Sequence, residues 1–205
     1  MLYRIPETPS PERVREYVEL WYSTQSYIEA DRALRLLFVE LCQSNNSMSH
    51  ILLKASALND FYSTNIYKTY AVAEHIYELD IDERLRDGDL KLVEDIADTK
   101  VSEGKTRYFY SFASKYCSHH QPDKYAIYDS YVDEMLRYFR RTDGFAKFKN
   151  EELRQYDRFM EIIAQFREHY HLDAGEFSLR DIDRYLWQLG KECKRIPDKK
   201  QDNGV

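Results

Sequence analysis

Apolar residues recur through most of the chain at three- and four-residue spacings, the period of one buried helix face. Ser10 before Pro11-Glu12 is an N-cap with proline at the first helical position, where a missing N–H costs nothing, and predicts a helix to about Trp21-Tyr22. Ile28, Leu34, Leu37, Phe38 and Leu41 predict a second helix over Tyr27–Leu41, broken by the polar run Gln43 to Ser47. Ile51, Leu52, Ala55 and Leu58 mark a third over Met48–Leu58. Thr64 is placed to cap a fourth reaching Leu79, and Asp87-Gly88-Asp89 is a turn before a fifth, Leu90–Ala97. Gly104–His119 reads as a sixth, although Tyr108, Phe109, Tyr110 and Phe112 make a strand the alternative there. Tyr128–Arg140 and the amphipathic Asn150–His169 follow, and Ser178 with Asp181 three residues on caps a last helix through Leu189.

The fold class is therefore all-α: a compact array of about nine helices in one domain, residues 1–205. The chain order divides it into two lobes with a cleft, 1–46 plus 141–196 against 47–140. A far-ultraviolet spectrum dominated by helix is expected.

Composition narrows the class. Hydrophobic residues make up 43%, enough for a core, and 6 glycines and 5 prolines suit long helices better than a turn-rich sheet. Lys plus Arg number 30 against 36 Asp plus Glu, a net charge of −6, which argues against attachment to nucleic acid by bulk charge. Attachment to undamaged duplex DNA is expected to be weak and strongly salt-dependent. Cys42, Cys117 and Cys193 form no CxxC pair and read as small buried hydrophobes. No apolar stretch has the length of a leader or a membrane span, so a cytoplasmic protein without a membrane partner is expected.

Chemistry concentrates in Ser111 to His120, Pro122 and Tyr125 to Ser130. A helix ending in polar and histidine residues leads through a Pro-Asp turn into an apolar run and then an acid that opens another helix. Asp129 there is either an N-cap or a carboxylate at the mouth of a cleft, able to act as a base or to stabilise a developing positive charge. His119 and His120 are adjacent, hence about 100° apart on a helix, and are not placed to share one metal ion. His169 and His171 read as helix C-terminal residues favoured by the dipole. Leu58 to Asn65 is a second polar-aromatic cluster, either a capped turn or a pocket wall in which Asn59 hydrogen-bonds a ligand and Tyr62 stacks on a base. Trp187 reads as a packing anchor, and Lys191, Lys194, Arg195, Lys199 and Lys200 as a basic end.

The order of glycine-containing hairpin, helix, loop, Ile127-Tyr128-Asp129 and Val132 resembles the helix-hairpin-helix DNA glycosylases. One glycine, Gly104, stands in the hairpin segment where that family usually has two, and Ala126 stands where it has proline. The resemblance implies an all-α, two-lobed protein that flips a damaged base into its cleft and requires no cofactor or metal. It implies Asp129 as the catalytic carboxylate and, in bifunctional members, a lysine near the start of the post-hairpin helix that attacks C1′. Lys105 holds that place if the helix starts near Gly104, and Lys115 takes it if the helix starts near Ser111. Gly104 and Thr106 would hold a phosphate at the helix N-terminus, with Asn59, Tyr62, Tyr128 and Ser130 around the substrate. A non-catalytic helical interaction or regulatory protein, and a nucleobase-binding module, are the rival readings; the former allows a protein partner.

Overall fold

The computed structural model describes residues 5–173 and 175–193. Lys194, Arg195, Lys199 and Lys200 of the expected basic end, and with them the last residues of the expected 1–46 plus 141–196 lobe, lie outside them. Ten α-helices are present among the described residues: α1 (Pro11–Ser23), α2 (Gln25–Arg35), α3 (Met48–Phe61), α4 (Thr69–Glu78), α5 (Asp82–Asp87), α6 (Lys91–Ala97), α7 (Tyr110–His120), α8 (Ser130–Thr142), α9 (Tyr156–His169) and α10 (Leu179–Cys193). The all-α class holds, with one small addition, an antiparallel hairpin of β1 (Asp98–Ser102) and β2 (Lys105–Tyr108).

Local signals account for most of the boundaries. Ser10 Oγ accepts from the Arg13 amide at 3.3 Å and opens α1. Before α10, Ser178 and Asp181 exchange reciprocal bonds: Ser178 N donates to Asp181 Oδ2 at 3.0 Å and Asp181 N to Ser178 Oγ at 3.2 Å. The second expected helix is α2 continued by a π-helical turn, Leu36–Leu41, that buries Phe38 against the rings of Tyr116, His119 and His120. Three expectations need correction. Thr64 caps no helix; its hydroxyl donates to Asn59 Oδ1, and α4 begins only at Thr69. Residues 150–154 form a 3-10 turn, with α9 starting at Tyr156. Gly104–His119 is not one helix: Gly104, at φ +67°, sits in the hairpin turn, and α7 begins at Tyr110.

One continuous core runs from Val14 in α1 to Cys193 in α10, and all three cysteines are buried within it or at its edge. The two expected lobes interleave. α10 packs on α1 and on α8, while α9 reaches across to α6. Gly190 is the close point of the α8–α10 seam, where a Cβ would come within 2.7 Å of Tyr131 Cβ and 3.0 Å of its carbonyl oxygen. That seam sets α10, with Trp187 and Asp183 three and seven residues before Gly190 along the same face, against the N-terminus of α8 and Asp129.

Candidate functional site

α1, α2, the end of α3, α7, the N-cap of α8 and α10 converge on one cavity of about 120 Å³, close to the ~150 Å³ that admits a benzene ring. α7 contributes Lys115, whose side chain is 2% exposed and whose Nζ lies 3.1 Å from Asp129 Oδ2. The ammonium also donates to Ser111 Oγ at 2.6 Å and sits 5.1 Å from the centroid of the Tyr62 ring. Asp129 divides its work between two oxygens. Oδ1 accepts from the Tyr131 amide at 3.0 Å as the N-cap of α8, and Oδ2 takes the lysine. Cap and cleft carboxylate are the same residue, so the two alternatives read from the sequence coexist.

α10 contributes Arg180, Asp183, Arg184 and Trp187, which share one side at helical spacing. Arg184 donates to Asp31 Oδ2 at 2.7 Å, and Trp21 Nε1 donates to the same oxygen at 3.2 Å. Trp21, Tyr27 and Trp187 form an aromatic wall, with centroids 4.6, 5.6 and 5.8 Å apart. Asp183 Oδ1 is buried and has no hydrogen-bond partner among the described residues. Burial raises the Asp183 carboxyl to about 7, offset in part by the Arg180 and Lys115 charges and reinforced by Asp129. Tyr62 Oη lies 2.9 Å from His119 Nε2, and burial pushes the phenol up to about 12, so it stays protonated and donates. Burial, with the Arg180 charge beside it, holds the His119 imidazole well below its usual range, which makes it a neutral acceptor.

His120 points elsewhere, as adjacency on α7 requires. Its Nε2 lies 3.1 Å from Lys54 Nζ, inside a separate buried network in which Lys54 also donates to Asn45 Oδ1 at 2.7 Å and Asn45 Nδ2 donates to Asp82 at 2.6 Å. Burial lowers Lys54 to about 8.

Of the site residues expected from sequence, Asp129, Lys115 and Tyr62 meet in the cavity. Lys105, Gly104 and Thr106 do not: they are exposed on the hairpin, and no helix N-terminus lies at Gly104 to hold a phosphate. With α7 starting at Tyr110, Lys115 takes the place that a start near Gly104 would assign to Lys105. Asn59 turns inward to brace the following loop, its amide bonded to the Ile66 carbonyl and amide at 3.1 and 2.8 Å. Tyr128 is core, with its hydroxyl on Asp133 and its ring against Tyr110 and Phe159, and Ser130 is exposed at the start of α8. Asp31, Arg180, Asp183 and Arg184 were not expected at the site. The i, i+3, i+4, i+7 recurrence of Arg180, Asp183, Arg184 and Trp187 was the available signal, and it resembles an ordinary solvated face.

The model of the HI_0787_N family, an N-terminal domain, matches residues 13–124. The match covers more than half of the sequence. This chain belongs to that family. It is also 45% identical over 135 residues to an uncharacterized protein of Haemophilus influenzae, an alignment covering 65% of this chain and 63% of that protein. The chain thus spans somewhat under two thirds of the length of the relative it matches. No solved structure matches. The matched segment supplies Trp21, Asp31, Tyr62 and Lys115 to the cavity, while Asp129 and all of α10 come from beyond it. The cavity is built across the end of the family segment.

The unpaired carboxylate has a measurable consequence. Because Asp183 is raised to about 7 from 3.8, the folded state holds a proton that the unfolded state has released between those values. Stability from this group is full below about pH 4, falls as pH rises, and is lost above about pH 7. Asp183→Asn should therefore melt several degrees above wild type near pH 8, with the gap closing toward pH 4. A variant less stable than wild type at both ends would contradict the unpaired, buried placement.

Proposed function

We propose that this chain is a DNA-glycosylase-like protein, acting on a damaged base flipped into the cavity. The observation that carries the reading is the Lys115–Asp129 pair, with Nζ 3.1 Å from Oδ2, on the helix that follows the hairpin and beside an aromatic wall. The order of hairpin, helix, loop and Asp129 N-cap supports it as well. A cavity of this size holds at most one small planar ring. Stacking on Trp21, Tyr27 or Trp187 would offset the few kcal/mol lost on unstacking a base. The open oxygen of Asp183 would bond the edge of the base, as donor when protonated and as acceptor when ionised.

In the reaction so assigned, the glycosidic bond lengthens and positive charge grows on the sugar, which the Asp129 carboxylate stabilises. The Lys115 amine, having given up a proton, attacks C1′ as the base leaves with the bonding electrons and takes up a proton. A second amine proton is lost, and the nitrogen lone pair then opens the sugar ring at O4′, which takes up a proton, leaving a protonated imine. These steps use side chains of this chain alone.

Base release from a panel of duplexes, each carrying one damaged base, tests the reading. Wild type should release at least one lesion, and Lys115→Ala should release it much more slowly. No release from any duplex, with wild type and Lys115→Ala indistinguishable, would favour the non-catalytic interaction protein instead.

A further inference from the structure

A second groove, of about 340 Å³, lies between the loop after α3 and the β-hairpin. Lys68, Lys105 and Arg107 line it, and no carboxylate does. All three cations are exposed and none makes an ion pair among the described residues. The hairpin's own acids, Asp98 and Glu103, fall outside the lining. In a chain of net charge −6, an acid-free cluster of unneutralised cations is a local departure that a polyanion would fit.

The loop also displays an aromatic ring. Tyr67 is 94% exposed, an unfavourable place for so much apolar surface, yet its loop is tightly held. Asn59 bonds both backbone groups of Ile66, whose side chain is buried at 3% exposure, and the loop takes left-handed backbone at Ser63 and Asn65. A braced loop therefore presents Tyr67 beside the three cations. Both walls run on into the cavity: Tyr62 is three residues before Asn65, and Phe109 is followed by α7 with Lys115. Six residues of mostly helical chain separate Phe109 from Lys115, about 9 Å. The groove and the cavity are thus joined along the chain by one short helical stretch.

We infer that the groove between the α3–α4 loop and the β-hairpin is a docking site for a DNA strand, with Lys68, Lys105 and Arg107 on its phosphates and Tyr67 stacked on a base. It rests on the base-excision reading only in taking DNA as the polyanion. The spread of cations along two walls suits successive phosphates, and the exposed ring suits an unstacked base, a pairing found where proteins grip single strands.

Fluorescence anisotropy with a labelled duplex containing an abasic-site analogue, titrated with salt, tests it. Neutralising three phosphate contacts in Lys68→Ala/Lys105→Ala/Arg107→Ala should lower the slope of log affinity against log salt by up to about 2.7. The matched variant Lys91→Ala/Arg35→Ala/Lys147→Ala, with the same change in net charge at exposed sites elsewhere, should leave the slope near that of wild type. Tyr67→Ala should weaken binding about tenfold with the slope unchanged. Equal slopes for the two triple variants, or no salt-dependent binding by wild type, would overturn the assignment. Binding through the groove without base release from any lesion would leave the docking site standing and remove the base-excision reading. Base release with an unaltered KM in the groove variant would do the reverse.

Discussion

Replacing Asp129 with asparagine should slow base release by about 10²–10³-fold, because the charge facing a developing sugar cation is lost while the shape is kept. The same change should cost stability, although asparagine caps helices as well as aspartate does. The reason is that both carboxylate oxygens are in use: Oδ1 accepts from the Tyr131 amide and Oδ2 from Lys115. An amide has one oxygen, so either the α8 N–H or the buried ammonium must face an NH₂ group. An interior donor left without its acceptor costs about 1–3 kcal/mol. Lys115 keeps Ser111 Oγ and the Tyr128 carbonyl as partners, which limits the loss. Adding Lys115→Met removes the stranded cation, so the double variant should be no less stable than Asp129→Asn alone. Thermal melts of the single and double variants measure this. Additive losses would show that the two side chains do not interact.

The second large effect concerns the seam behind the cavity. Gly190→Ala inserts a methyl 2.7 Å from Tyr131 Cβ and 3.1 Å from its Cα, against backbone that cannot rotate aside. Alanine favours a helix interior over glycine by about 1 kcal/mol. Overpacking typically costs about 1–3 kcal/mol, and here the obstacle is the main chain of a second helix, so the clash should win. A fall in melting temperature of several degrees is expected. Because α10 carries Asp183 and Trp187 while α8 carries Asp129 at its cap, prising the two apart should also weaken binding in the cavity. A variant more stable than wild type would mean that α8 and α10 do not meet this closely.

Much of this architecture is legible in the order of residues, and the reasons it fails elsewhere are local. Ser10 and the Ser178–Asp181 pair mark their helices because capping is a contact over three residues. Periodicity alone extends the sixth helix over the hairpin, because its strands are five and four residues long and β2 is wholly exposed, so no alternation of apolar and polar positions announces them. The choice between the lysines turns on that one boundary, since α7 starts at Tyr110 and not near Gly104. Asp129 could be found because a cap and a catalytic carboxylate can occupy the same position. The α10 stripe could not be assigned, as Arg184 meets Asp31 across 153 residues of sequence and nothing in either segment names the other.

Borohydride trapping bears most directly on the claim that Lys115, paired with Asp129, is the working amine. Wild type incubated with abasic-site duplex in the presence of borohydride should form a covalent protein–DNA adduct, by reduction of the imine. The adduct should persist in Lys105→Ala and vanish in Lys115→Ala, with circular dichroism showing both variants folded. An adduct retained in Lys115→Ala, or lost only in Lys105→Ala, would contradict the account.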